Sequence, residues 1–363
     1  MAGKHLNKIP SLYYYTTIET MRFILQNGNI YATNLRYMND AEEYSNGLME
    51  LQKIFNTHYV ESKNTITAKK LDELLAGNTD IYSISFSTQR DLLSQWSMYA
   101  GESGVSLKMD FHGEQKYWFY SEKENNENKR EYYLSDIYPK RVFYLTQRVM
   151  KKSTYDSIRK KIISEIEEDN RGVIAGDMQG ENAINAWLNM TPYVKRYEFY
   201  QEGEYRLACS IWDFPSPVRI DYRNDRNVLK PYLDVECENG WPIEEIIVGP
   251  GFNQQAVYTS LKHYISNTKI KVPILTRNRF KKRCKQYFCQ NNKIPGEVEK
   301  IWLAHEREFR SDEINSRYRQ FEGIKRLIME AANIDDKYKE YLSNRYLSKE
   351  GILVTKSEIP YQY

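Results

Sequence analysis

Apolar positions in the first hundred residues switch period several times, and each switch marks an element. Leu12 to Thr16 reads LYYYT, a run of β-formers that predicts a strand. Thr17 then stands as a helix cap before Ile18, Met21, Ile24 and Leu25, which recur at helical spacing. Gly28 after Asn27 predicts the stop. A short strand is expected over residues 30–33, and Asn39-Asp40-Ala41-Glu42-Glu43 caps a longer helix running to about His58. Residues 81–87 are nearly continuous in β-formers and predict a third strand, after which Asp91 caps a short helix over 92–99 ending at Gly101. Val105, Leu107, Met109 and Phe111 then alternate, the period-2 pattern of a half-buried strand.

Beyond this point the pattern loosens. Residues 121–131 form a polar loop without apolar positions, followed by a strand near 141–145 and helices over 155–168 and 181–194. Gly172, Gly176 and Gly180 punctuate the connection between those helices. A strand is expected to open at Glu202, and another over 246–248 closes at Gly249-Pro250-Gly251 before a helix over 254–265. From 298 to about 347 the pattern is helical, with Ile314, Tyr318, Phe321, Ile324, Leu327 and Ile328 in one apolar stripe. Residues 352–355 read as a last strand. The organisation expected is an α+β core over 1–275, a helical insertion or subdomain over 276–350, and a terminal strand over 351–363 that returns to the core.

Composition narrows this little. Lys plus Arg number 52 against 49 Asp plus Glu, so a formal charge of +3 calls for no polyanionic partner. The 41% hydrophobic and 28% charged residues are those of a globular chain, with 31 Tyr the one excess. Cys209, Cys237, Cys284 and Cys289 have no disulfide-framework spacing, and no basic-plus-apolar leader follows Met1, which reads as a reduced cytoplasmic protein. No apolar run is long enough for a membrane span, so no membrane partner is expected.

The chemistry-bearing residues fall on strands. Ser85 and Ser87 share one face of the expected third strand, and Glu202 and Glu204 share one face if a strand starts at Glu202. Such an arrangement turns two hydroxyls and two carboxylates toward one cleft. The alternative is that both glutamates pair with Arg206 across an exposed strand face, a salt-bridge ladder of small worth.

Taken in order, Tyr13, Tyr15 and Thr16, Asn39-Asp40 with Glu43, Ser85 and Ser87, Trp96 and Tyr99, Gly104 to Asp110, Glu202, Glu204 and Arg206, Gly249-Pro250, and Ser357, Ile359, Pro360 and Tyr361 form a series. That series resembles the bacterial family called domain of unknown function 2971, over about residues 10–270 and the last dozen. Its order is also similar, at the level of fold, to ADP-ribosyltransferases. The resemblance implies a twisted, mainly antiparallel sheet core with flanking helices and NAD as substrate. By it, Tyr14, Tyr15, Thr16, Asn39, Asp40, Ser85, Trp96, Tyr99 and Arg206 surround the nucleotide. Tyr14 stands where the transferases carry a His or Arg; it offers a hydroxyl and no cation at neutral pH. Ala41 replaces the Pro expected after Asn39-Asp40.

Cleaving nicotinamide from ribose develops positive charge on the sugar, which a carboxylate stabilises more in the transition state than in the ground state. Glu204 takes that role in this reading, Glu202 orients or deprotonates the acceptor, Ser87 bonds the carboxylate and Tyr15 stacks on the ring. Each group also has a structural reading: Asn39-Asp40 as a helix cap, and Trp96 with Tyr99 as a core pair. The expected activity is ADP-ribosyl transfer to a protein or nucleic acid, or NAD hydrolysis, in a bacterial toxin or phage-defence effector. The alternative is a non-catalytic nucleotide- or protein-binding module.

Other chemistries find less. The five histidines are scattered, and His305-Glu306-Arg307-Glu308 lacks the second His of a zinc helix, so no metal site is expected. Asp40 and Glu43 leave a metal-dependent nuclease as a third reading. There is no Gly-rich phosphate loop and no Gly-x-Ser-x-Gly elbow. Arg277, Arg279, Lys281, Lys282, Arg283 and Lys285, interleaved with Phe280 and Tyr287, would suit a nucleic acid acceptor or a solvated helix face.

Overall fold

The computed structural model describes residues 9–38, 41–62, 80–101, 104–111, 116–120, 132–135, 137–169, 187, 189–211, 214, 217–225, 227–237, 240–268 and 352–360. The expected loop at 121–131, the insertion at 276–350 with its apolar stripe and basic cluster, and Asn39-Asp40 lie outside these residues.

In chain order the strands and longer helices begin with β1 (Leu12–Thr16), α1 (Ile18–Asn27), β2 (Asn29–Asn34), α2 (Ala41–Ser62), β3 (Ile81–Ser87) and β4 (Val105–Met109). They continue with β5 (Tyr117–Tyr120), β6 (Tyr132–Ser135), β7 (Lys140–Arg141), β8 (Phe143–Tyr144), α3 (Lys152–Asp169), β9 (Val194–Lys195) and β10 (Glu204–Ser210). The last are β11 (Asp221–Asp225), β12 (Val228–Cys237), β13 (Ile243–Val248), α4 (Gln254–Asn267) and β14 (Leu353–Lys356). The fold is α+β, with mostly antiparallel pairing; β13 with β14 and β8 with β9 run parallel.

Two compact units emerge. The described residues of Met1–Leu12, Asn29–Gln89 and His112–Glu238 build the first, and those of Tyr13–Gly28, Arg90–Phe111 and Asn239–Tyr363 the second. In the first unit the strand order is β3-β2-β12-β5-β6, with β10 on β3, β7 on β10 and β11 on β12. Leu51, Ile54 and Phe55 of α2 and Ile162 and Ile166 of α3 pack with Ile81, Ala208, Trp187 and Val194 into one core. Phe55 meets Trp187 edge-on at 5.1 Å between ring centroids, a favoured aromatic geometry. A Cβ on Gly47 would strike the Val194 carbonyl, so glycine is what lets α2 approach the segment leading to Lys195.

The second unit carries β14-β13-β4-β1 with α1 and α4. Thr17 caps α1 by accepting the Thr20 N–H at 3.2 Å, and Gly28 closes it at φ 82, both as the sequence predicts. Strand β4 differs from its reading as half-buried. Val105, Leu107 and Met109 are buried, and so are Ser106 and Lys108 between them, because β4 is an interior strand flanked by β13 and β1. The expected helix over 92–99 is a single α-turn, Leu93–Gln95, continued by a wider π-turn over Trp96–Ala100. The helix expected to run to 194 ends earlier: Thr191–Tyr193, with Pro192 in its middle, is a 3-10 turn, and Val194 is already extended.

Candidate functional site

Strand β10 lies antiparallel on β3, and its register sets Glu204 opposite Ser87 and Arg206 opposite Ser85. The Ser-x-Ser and Glu-x-Glu segments, 115 residues apart in sequence, are therefore neighbours, as their side-chain chemistry suggested. The detail differs from the sequence reading in one respect. Glu202 is not on the strand; it ends a 3-10 turn over Tyr197–Glu202, and Gly203 at φ 52 turns the chain into β10. Alternation along a strand thus does not align the two glutamates. A lysine does.

Lys195 Nζ lies 2.7 Å from Glu202 Oε2 and 3.1 Å from Glu204 Oε2. Arg206 closes on the same Glu204 carboxylate with two bonds, Nε to Oε1 at 2.7 Å and Nη2 to Oε2 at 3.0 Å. Its remaining nitrogen, Nη1, donates to the Pro192 carbonyl at 2.8 Å. The Glu204 backbone is fixed as well: its N–H donates to the Tyr144 hydroxyl at 2.7 Å and its carbonyl accepts from Val142 at 3.0 Å. Lys195 also sits 4.8 Å from the centre of the Phe199 ring, a cation–π contact. Two cations and two carboxylates balance to zero formal charge.

All four side chains are buried, with exposures of 9% at Glu202, 5% at Glu204, 4% at Lys195 and 2% at Arg206. Burial opposes the charge on Glu204, but Arg206 and Lys195 outweigh it, helped by the bonds from Arg206, and hold its carboxyl down to about 2. Burial pushes the Tyr144 phenol up, and the Glu204 charge beside it adds to the effect. The exposed strand-face ladder considered from sequence is thus found as a glutamate–arginine pair, but inside the unit rather than on its surface.

Ser87 departs from its expected role. Its hydroxyl donates to the Glu202 backbone carbonyl at 2.5 Å and accepts the Gln89 N–H at 3.0 Å, so it locks the turn and leaves the Glu204 carboxylate to others. Lys195 and Tyr144 were missed by the sequence reading. Neither belongs to a motif, and Lys195 sits on a two-residue strand.

Tyr14, Tyr15, Thr16, Trp96 and Tyr99 belong to the second unit. The Tyr15 ring is 7% exposed and meets Trp96 edge-on at 4.7 Å, in a cluster with Tyr13, Ala100 and Ile247 against which Tyr99 packs. Its hydroxyl accepts the Leu92 N–H at 3.1 Å. Trp96 is thus a core residue and Tyr99 a partly buried one packed against that core, and the Tyr15 ring is buried against Trp96. Tyr14 is half-buried on β1, and Thr16 is buried.

The second unit also holds a polar knot that the sequence reading assigned only to a helix cap. Asp91 Oδ1 accepts from Trp96 Nε1 and from Ser357 Oγ, each at 2.7 Å, and Oδ2 accepts the Glu358 N–H at 2.7 Å. Next to it in sequence, Arg90 donates to Glu245 at 3.0 Å and Thr355 at 3.1 Å. Among the described residues no cluster of three or more His, Cys, Asp or Glu is placed to hold a metal ion, and no helix is long and apolar enough to cross a membrane.

Compared with known proteins, the chain matches no family model, no curated protein and no solved structure.

Proposed function

We propose that this chain is a non-catalytic binding module whose partner is a protein. The observation that carries the reading is the saturation of Glu204. A carboxylate that stabilises a forming ribosyl cation needs a free oxygen and access to the sugar. Glu204 has both oxygens bonded by Arg206 and Lys195 at 5% exposure, in a cluster of zero net charge. Its energy goes into fixing the turn, β9 and β10 relative to one another. The surface favours a protein over a nucleotide: Tyr222, Val228 and Leu229 at one hairpin are 64%, 46% and 65% exposed.

A second reading, an NAD-consuming ADP-ribosyltransferase-like enzyme or NAD glycohydrolase, is favoured by the register that sets Glu204 opposite Ser87. In that case Arg206 or Lys195 must release the carboxylate when substrate enters. Nicotinamide release from NAD in the presence of cell lysate separates the two. The binding module predicts none from the parent protein, and release by the parent that is lost in Glu204→Gln overturns it.

A further inference from the structure

We infer that β11 is the contact strand of a symmetric dimer of this chain, two copies joining β11 to β11 in antiparallel fashion. The inference deepens the binding-module reading by naming the partner. Strand β11 pairs with β12 on one side, Tyr222 opposite Pro231 and Asn224 opposite Leu229, and no strand pairs with its other side among the described residues. Proline has no N–H to exchange, so Tyr222 and Pro231 form a non-hydrogen-bonded pair. The N–H and C=O of Tyr222, and by alternation those of Asn224, therefore point outward from the hairpin. An edge with outward-directed groups is a template for another strand.

Side chains select which strand. Along β12 the odd positions Pro231, Leu233, Val235 and Cys237 are buried, and Leu229 continues their face past the core to 65% exposure. Tyr222 lies on that same face at 64% exposure. On the opposite face β11 carries Asp221, Arg223 and Asp225, charges of alternating sign. With the two-fold axis at Tyr222, each Asp221 stands opposite Arg223 of the second copy, and the two Tyr222 rings meet on the apolar face. A shift that puts the axis at Arg223 sets arginine against arginine and Asp221 against Asp225, both repulsive. The strand is thus complementary to itself in the first register and rejects the second. Within one copy Asp221 pairs with Arg219 at 2.7 Å, an exposed contact of small worth, and Arg223 donates to the Thr33 hydroxyl at 2.9 Å and lies over the Tyr31 ring, so association exchanges a neutral acceptor of Arg223 for the carboxylate of the second copy's Asp221.

One strand pair buries less than the roughly 800 Å² per partner of a tight complex, so the dimer is expected to dissociate on dilution. Sedimentation equilibrium of the full chain over a dilution series reads this directly against the monomer mass of 43.2 kDa. Tyr222→Pro removes an outward N–H and no bond within the hairpin, and is expected to weaken the dimer by roughly tenfold or more. Arg223→Asp should do the same, and the swapped pair Asp221→Arg with Arg223→Asp should restore association even though the Arg223 bond to Thr33 is lost in both. Circular dichroism checks that each variant keeps its fold. A parent that stays monomeric up to its solubility limit, or a dimer indifferent to Tyr222→Pro and Arg223→Asp, overturns the inference. Nicotinamide release would overturn the binding-module reading and leave the dimer standing, so the two fail separately.

Discussion

Arg206 lies two residues beyond Glu204 on the same strand and face, and binds its carboxylate through two nitrogens at 2.7 and 3.0 Å. A bidentate pair at this burial is stable only while both members are present, since either alone leaves a desolvated charge. Glu204→Ala is therefore expected to destabilise the protein by about 3–5 kcal/mol, which lowers Tm by roughly 10 °C. Replacing both members, Glu204→Met with Arg206→Met, should cost less than Glu204→Ala alone. A double variant less stable than the single one in urea unfolding would contradict the buried-charge account.

The same cluster sets an acid limit. Glu204 is held ionised down to about 2 in the folded protein, whereas an ordinary glutamate titrates near 4.5. The unfolded chain thus binds its proton first as pH falls. The stabilisation is complete above pH 4.5 and is lost as pH drops from there toward 2. Urea unfolding between pH 6 and pH 3 should show the parent losing stability more steeply than Glu204→Gln. Parallel curves would mean that Glu204 is not linked to folding in this window.

Gly203 joins the two glutamates and has its own consequence. At φ 52 it occupies a conformation that costs a residue with a Cβ about 1–2 kcal/mol, and a Cβ there would also strike the Thr88 hydroxyl. Gly203→Ala is expected to destabilise by at least that amount and to disturb the turn that brings Glu202 and Glu204 to one lysine. The amide resonances of Thr88, whose N–H donates to the Gly203 carbonyl at 2.9 Å, should move with it. A variant of parental stability with Thr88 unshifted would remove the glycine from the argument.

Local pattern carried the sequence reading where one element decides its own shape. The Thr17 cap, the Gly28 stop and the strands at Leu12–Thr16 and Ile81–Ser87 were legible because propensity and period agree there. The register of β10 on β3 makes neighbours of the serine and glutamate segments, while Glu202 lies on the turn before β10 and Ser87 bonds its backbone. Lys195 was invisible because the partner of a buried carboxylate is set by packing, and here by the close approach of α2 at Gly47. Glu202 was misplaced because a glycine between two glutamates was read as strand interior, when its freedom at positive φ makes it a turn. Asp91 was read as a cap because its three partners include two from residues 357 and 358, far along the chain.

That last contact gives the fourth prediction. Asp91 accepts from the Trp96 indole, the Ser357 hydroxyl and the Glu358 N–H, so a single carboxylate ties the segment after β14 to the turn that follows β3 in sequence. Hydrogen bonds to a charged acceptor are worth about 1.5–3 kcal/mol each and do not add independently when they share one group. Asp91→Ala strands a buried indole N–H and frees the terminal segment, whereas Asp91→Asn keeps an acceptor for Trp96 or Ser357 and loses the charge. Hydrogen exchange at residues 354–359 should therefore accelerate strongly in Asp91→Ala and less in Asp91→Asn, with the β4–β13 ladder unchanged in both. Trp96 fluorescence should shift in the same order. Equal exchange in the parent and Asp91→Ala would show that the parallel pairing of β14 with β13 holds the segment without the aspartate.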